Sequence, residues 1–314
     1  HLGYIKRISL DTYKHQNRGG RGIIGVNTIE DDAIENLFIT SNLSNLMFFT
    51  NKGKAYTIKA YRIPEAGRTA RGMAIVNLFQ LDKDEKVSTV FSINGYDEDK
   101  YLTMVTKKGQ IKKTTLDSFK NIRKGGIIAL TLAEEDELMG VYLTNPDDVI
   151  LVCTKQGKGI LFEGTDVRPM GRTAKGVKAI SLDENDEVIG ATVPKEGEQI
   201  LVASENGLGK RTRIDEFRSQ RRGGKGLKVY KVTEKTGNVI GITSVTEEDE
   251  LMLITTEGII IRILVSQISS VGRNTQGVKL ITVQDDVKVI CMAKVKQDNT
   301  QDEDDEIDEL DEID

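Results

Sequence analysis

Short apolar runs, each followed by Thr or Ser and, three residues on, a Gly, recur along the chain: LMFFTNKG (46–53), YLTMVTKKG (101–109), VILVCTKQG (149–157), ILVASENG (200–207) and LMLITTEG (251–258). β-Branched and aromatic residues in runs of this length predict strands. The tips NKG, KKG, KQG, ENG and TEG predict tight hairpins whose glycine takes a positive φ. The chain then returns in a second predicted strand: YIKRISL, KAYTIKAY, QIKKTTL, KGILFE, LGKRTRI and IIIRILV. After a loop comes a third run such as GVKAISL (176–182) or GVKLITV (277–283). An acidic turn follows (DKDE 82–85, EEDE 134–137, DEND 183–186), then a fourth run such as EVIGATV (187–193) or VKVICMAKV (287–295).

The hairpin glycine stands at Gly3, Gly53, Gly109, Gly157, Gly207 and Gly258, at steps of 50, 56, 48, 50 and 51 residues. A second glycine closes a basic loop at Gly22, Gly72, Gly126, Gly176, Gly226 and Gly277, 19 residues after the first in five repeats and 17 in the third. A period near fifty with fixed landmarks means an array, not one thick core. Four strands in each of six repeats predict an all-β fold, a propeller-like ring of six four-stranded blades. One domain is expected over 1–296, in blades of approximately 1–44, 45–98, 99–146, 147–196, 197–247 and 248–296. Only His1 and Leu2 stand where the other repeats have an opening strand, so the chain reads as beginning mid-blade, the C-terminal part of something longer.

Composition agrees with thin sheets that share apolar cover: 38% of residues are hydrophobic and Trp is absent. Cys153 and Cys291 lie inside apolar runs and read as buried small hydrophobes. With two histidines, no zinc site or Cys–His nucleophile can be assembled, and no metal or cofactor is expected in this domain. No apolar run approaches the length of a membrane span, and HLGYIKR does not have the form of a signal peptide.

The net charge of −5 hides a partition, because residues 298–314 carry eleven acidic groups and no basic one. The rest of the chain is therefore basic. Residues 297–314 are expected to form a disordered acidic tail. It is either a solubility tail or an intramolecular competitor for the basic surface, and its deletion tightens binding in the second case only.

In every repeat the basic loop precedes the third run and the acidic turn follows it. A third strand of about seven residues would separate the two by roughly 23 Å. One basic loop is a solvated loop; six at one structural position form a belt. Arg18 and Arg21, Arg68 and Arg71, Arg123 and Lys124, Arg172 and Lys175, Arg221 with Arg222 and Lys225, and Arg273 would make that track. Loop glycines let the backbone approach a phosphate closely, so main-chain N–H groups and arginines can share its oxygens. No recognition helix and few loop aromatics are present to read bases. The pattern points to duplex DNA held by its backbone and bent along the rim, at a cost of about 1–6 kcal/mol for 20–30 bp.

QNRGGRG (16–22) and QRRGGKG (220–226) resemble the signature heptapeptide of the C-terminal domains of bacterial DNA gyrase A subunits. The likeness extends from residue 3 to about 296, through GYIKR, FFTNKG, the GRTA-x-G loops and GVKLITV. It implies a β-pinwheel, a propeller relative in which strands pass between neighbouring blades. It further implies right-handed (positive) wrapping of DNA, in support of negative supercoiling by a cytoplasmic, nucleoid-associated A2B2 holoenzyme. There the gyrase A catalytic N-terminal domain cleaves DNA, and gyrase B hydrolyses ATP with Mg. The isolated domain would be monomeric and non-catalytic. The family's essential box carries over to Gln16, Asn17, Arg18, Gly19, Gly20, Arg21 and Gly22, with Asn17 where the family is usually basic.

Two alternatives stay open at this point: the equivalent domain of the topoisomerase IV A subunit, which binds DNA without strong wrapping, and a protein-binding propeller. An enzyme is the weakest reading. The chain has no P-loop, no His-Glu-x-x-His and no nucleophile elbow, and GRTAKG (171–176) lacks the Lys-Ser/Thr of a phosphate loop and opens a strand.

Overall fold

The computed structural model describes residues 3–9, 23–24, 40–67, 69–284 and 286–295. The hairpin motif folds as its residues dictate. At the third repeat Gly109 has a φ of 79°, its N–H donates to the Thr106 carbonyl at 3.0 Å, and the Thr106 hydroxyl accepts from the Gln110 N–H at 3.0 Å. Threonine thus caps the turn that glycine allows, and the same pair of contacts recurs at Thr50, Thr154 and Thr255.

Each hairpin is flanked by an inner strand from its own repeat and a two-residue outer strand from the next. From inner to outer edge, one sheet runs Leu138–Thr144, Tyr101–Thr106, Gln110–Thr115, Val177–Lys178. Its neighbours run Val87–Ile93, Asn45–Thr50, Lys54–Lys59, Ile127–Ile128 on one side and Val188–Thr192, Val149–Thr154, Lys158–Glu163, Leu227–Lys228 on the other. The next is Val239–Val245, Gln199–Ser204, Leu208–Arg213, Val278–Lys279. The last is Val289–Val295, Glu250–Thr255, Ile259–Leu264, Ile23–Ile24, so the first repeat lends its outer strand to the sixth and the exchange closes. All ladders are antiparallel, and the inner strands of successive sheets lie against one another around the centre of the ring.

Two expectations need correcting. Six four-stranded blades do not appear: the described residues form five four-stranded sheets and one two-stranded sheet, Tyr4–Ile5 with Met73–Ala74. Because each sheet borrows its outer strand from the following repeat, the first repeat supplies one strand to the two-stranded sheet and one to the sixth repeat's sheet. The third strand is also much shorter than seven residues. In GVKAISL only Val177 and Lys178 pair with a neighbour; Ala179 and Ile180 are buried beneath the preceding hairpin, where the Ala179 N–H donates to the Gly109 carbonyl at 2.8 Å.

The core is a series of slabs between successive sheets, as thin sheets require. Met47, Phe49 and Ala55 of the second repeat pack against Leu102, Met104 and Phe119 of the third. Leu201 and Ala203 of the fifth pack against Leu251, Leu253 and Ile261 of the sixth. Ile5 joins the slab of the second repeat and Ile8 that of the sixth. Both cysteines are buried, and burial pushes the Cys153 thiol up to about 12, so it is an inert apolar filler. No helix of the described residues is long and apolar enough to cross a membrane.

Candidate nucleic-acid interface

Among the described residues the basic loops of the fourth to sixth repeats occupy one structural position. Each leaves the outer side of a hairpin, bulges away, and returns as the exchanged outer strand. Entry is fixed by a parallel bridge, Lys113 to Pro169, Leu161 to Ser219 and Arg211 to Ser270. Exit is fixed by a glycine: at Gly176, with φ at 90°, an added Cβ would stand 2.6 Å from the Ile111 carbonyl oxygen. At Gly277 the corresponding distance, to the Gly209 oxygen, is 2.1 Å. The loop closes only because glycine is there, through both its φ and its missing side chain.

From the fourth repeat to the sixth, each loop is hydrogen-bonded to the segment just after the preceding repeat's exchanged strand. The Thr131 N–H donates to the Ala174 carbonyl at 3.3 Å, that of Ser181 to Gly224 at 2.8 Å, and that of Lys231 to Thr275 at 3.1 Å. Three arginines add rungs: Arg172 donates to the Ile128 carbonyl at 3.1 Å, Arg222 to Lys178 at 3.2 Å, and Arg273 to Lys228 at 2.6 Å. Each therefore lies over the outer strand of the preceding sheet. Arg123, Lys124, Lys175, Arg221 and Lys225 are exposed along the same edge. Arg71, also exposed, sits on the two-stranded sheet with its guanidinium 5.3 Å from the Tyr4 ring centre. Arg68 and the whole heptapeptide Gln16–Gly22 lie outside the described residues.

Among the described residues these loop cations have no carboxylate within ion-pair distance, whereas the hairpin-tip lysines do. Lys54 pairs with Asp82, Lys158 with Asp183, and Lys107 with Glu187 at 3.4 Å. The acidic turns are thus spent on the hairpins of the ring. In the third and fourth repeats a buried aspartate of the turn staples the tip: Asp136 accepts from the Lys108 N–H at 2.9 Å, and Asp186 from the Gln156 N–H at 3.0 Å. The acidic turns do not lie at the far end of a long third strand, since that strand has two residues and the Lys225 charge is near enough to help hold the Asp183 carboxyl below its ordinary value, behind the larger effect of Lys158.

Two sets of residues escaped the sequence reading. Lys178, Lys228 and Lys279 are exposed on the exchanged strands, at the outermost position of three sheets. Lys112 and Lys210 are wholly buried behind the loops. Burial, with Arg172 alongside, lowers Lys112 to about 8. Burial lowers Lys210 to about 8, against Glu216 and with Arg273. A dibasic pair in alternate repeats (Lys6–Arg7, Lys112–Lys113, Lys210–Arg211) was the available signal. Among the described residues no group of three or more acidic, His or Cys side chains could hold a metal.

Most of the chain matches known proteins. It matches the family described as DNA gyrase C-terminal domain, beta-propeller, over residues 1–41, 44–94, 100–145, 148–195, 198–246 and 249–296. It is 54% identical over 301 residues to the DNA gyrase A subunit of Clostridium acetobutylicum, covering 96% of this chain and 36% of that protein. To the DNA gyrase A subunit of Halalkalibacterium halodurans it is 58% identical over 305 residues, covering 97% of this chain and 37% of that protein. The chain therefore spans about a third of the length of these relatives. A solved DNA gyrase A C-terminal domain superposes with a TM-score of 0.85 at 27% identity, over 93% of this chain and 96% of that one. The C-terminal domain of a DNA topoisomerase IV does so with a TM-score of 0.73 at 25% identity, over 94% and 91%. By the six matched segments and this level of identity, the chain belongs to the family of DNA gyrase C-terminal β-propeller domains, the non-catalytic part of the gyrase A protein.

Proposed function

We propose that residues 1–296 bind duplex DNA by its phosphates and wrap it with positive handedness along the outer edge of the ring. The observation that carries this is the series of loops and exchanged strands hydrogen-bonded to one another from the third repeat to the sixth, whose loop cations face solvent without carboxylate partners. Phosphates supply affinity in such a surface, and the bend of the duplex supplies selectivity. In this reading the contacts are Arg71, Arg123, Lys124, Arg172, Lys175, Arg221, Arg222, Lys225 and Arg273, with Arg68 and the box Gln16–Gly22 joining them. The setting is the bacterial cytoplasm, where the domain would serve a gyrase A catalytic region and gyrase B.

Binding to linear duplex should weaken by about three orders of magnitude between about 50 and 200 mM salt if about six phosphates are neutralised. A relaxed plasmid nicked and resealed with the protein bound should gain positive writhe. Salt-independent affinity would end the phosphate reading. Salt-dependent affinity with an unchanged linking number would leave DNA binding but remove wrapping, a role closer to that proposed for the topoisomerase IV domain.

A further inference from the structure

Three residues beyond each hairpin glycine stand Lys6, Tyr56, Lys112, Ile160, Lys210 and Ile261. The lysines fall in alternate repeats. Each faces a loop that begins Gly-Arg: Lys6 donates to the Gly67 carbonyl at 3.3 Å, Lys112 to Gly171 at 3.0 Å, and Lys210 to Gly272 at 2.7 Å. Lys112 also donates to Ala129 at 2.5 Å and to the Arg172 carbonyl, which satisfies its three N–H groups without any carboxylate. Lys210 likewise takes the Arg273 carbonyl and lies 5.6 Å from the centre of the Tyr230 ring.

The planar trans peptide sets the direction of the amides, because carbonyl and N–H point in opposite directions across each unit. With the carbonyls of Gly171 and Arg172 turned inward onto a buried ammonium, the N–H groups of Arg172 and Thr173 turn outward. Among the described residues no protein acceptor meets them. By the same construction Lys210 turns the Arg273 and Asn274 N–H groups outward, and here the outcome is visible: the Arg273 N–H donates to Glu216 Oε2 at 3.0 Å. The acceptor is a carboxylate oxygen on an exposed side chain. The side chain at the position equivalent to Glu216 beside the fourth loop is Ser118, which carries no charge.

We propose that the outward N–H groups of Arg172 and Thr173 form a phosphate site set by Lys112, and that Glu216 occupies the corresponding site of loop 272–277 as a built-in competitor. The proposal rests on the DNA-rim reading and assigns two unlike roles within it: the fourth loop is open to a phosphate, the sixth is closed until Glu216 leaves. Lys112 is a positioning residue, since its ammonium touches the loop's carbonyls and not the anion. Among the described residues the charged side chain facing it is Arg172, whereas Lys210 is faced by Glu216, Arg273 and the Tyr230 ring. The lowered proton affinity of Lys112 agrees with an ammonium held by dipoles alone, and its site should loosen above about pH 8.

The test pairs DNA binding with inorganic phosphate titration followed at the backbone amides. Glu216→Gln should tighten DNA binding about three- to tenfold and steepen the salt dependence by about one ion. Asp215→Asn removes the same charge one residue away and should do much less. Phosphate should shift the Arg172 and Thr173 amides in the unaltered chain, and those of Arg273 and Asn274 only after Glu216→Gln. Lys112→Met should abolish the first pair of shifts, and Lys112→Arg should restore part of them. Should Lys112→Met fail to fold, the exposed Glu216→Gln still decides. Unchanged affinity and silent Arg273 and Asn274 amides after Glu216→Gln would overturn the proposal while salt-dependent DNA binding stood. Amide shifts with phosphate alongside salt-independent DNA affinity would keep the anion site and overturn the rim reading.

Discussion

The fourth and fifth loops arrive at the same arrangement by different means. Loop 171–176 lies over a buried cation and is held by its carbonyls. Loop 220–226 lies over Ile160 and is held by its own backbone: the Gly223 N–H donates to the Ala179 carbonyl at 2.6 Å, and the Gly223 and Gly224 carbonyls accept from the Ser181 hydroxyl and N–H, each at 2.8 Å. Gly223, with φ at 83°, makes that path possible. Yet both loops set an arginine on a carbonyl of the preceding outer strand, Arg172 on Ile128 and Arg222 on Lys178. The shared feature is the seat of the arginine. What differs is the anchor, a charge in one repeat and extra glycines in the next, so the ring has a two-repeat period beneath its one-repeat fold.

That difference can be broken most severely at Ile160. Its side chain is fully buried, a Cβ on Gly224 would approach its Cδ1 to 3.4 Å, and the Gly223 and Gly224 carbonyls are already engaged by Ser181. Ile160→Lys should cost about 3–5 kcal/mol, the range for an uncompensated buried charge. Urea unfolding measures it. If the two classes of loop were interchangeable, the cost would be near zero.

The two kinds of loop were not equally legible in the chain alone, and neither were the elements around them. Hairpins were legible because Thr-x-x-Gly is a local device: Thr106 and Gly109 satisfy each other's turn within four residues. Strand exchange came from family likeness, since Val177–Lys178 pairs with Gln110–Ile111 and nothing in GVKAISL specifies that partner. Its alternation reflects Ala179 and Ile180 under a hairpin, not a seven-residue ladder. The lysines were the least legible. In QIKKTTL and LGKRTRI a charged residue reads as solvent-facing, but the carbonyls that make burial tolerable at Lys112 and Lys210 arrive about sixty residues later, from the next repeat's loop.

Lys112→Ile gives the next largest effect, about 1–3 kcal/mol, because it leaves the inward carbonyls of Ala129 and Arg172 without donors and that of Gly171 with the Ala174 N–H alone. Its pH signature separates it from a simple packing change. In the unfolded chain the lysine recovers its ordinary value of 10.5, against about 8 when folded. Between these values the unfolded state binds more protons, so this lysine's contribution to folding becomes more favourable as pH rises. DNA affinity should move the other way, as a neutral amine offers two N–H donors to three carbonyls. Stability and affinity measured from pH 7.5 to 9.5 should therefore diverge in the unaltered chain, and the part due to this site should vanish in the variant. Parallel trends would mean that the loop does not depend on the charge.

The smallest effect sharpens the comparison at the outer strands themselves. The second residue of the exchanged strand is Ile24, Ala74 or Ile128 in the first three repeats and Lys178, Lys228 or Lys279 in the last three. The three lysines are exposed, so alanine at any of them should leave stability within about 0.5 kcal/mol. If DNA follows the outer edge, each should still lower the slope of log affinity against log salt by about one, through one lost phosphate contact. Arg172, Arg222 and Arg273 lie over the carbonyls of Ile128, Lys178 and Lys228, so the lysine and arginine of adjacent repeats share a stretch of backbone. Lys178→Ala and Arg222→Ala should therefore be less than additive in the double variant, while Lys279→Ala and Arg172→Ala, two loops apart, should add. Additivity in both pairs would mean that the rim is a set of separate charges and not one continuous track.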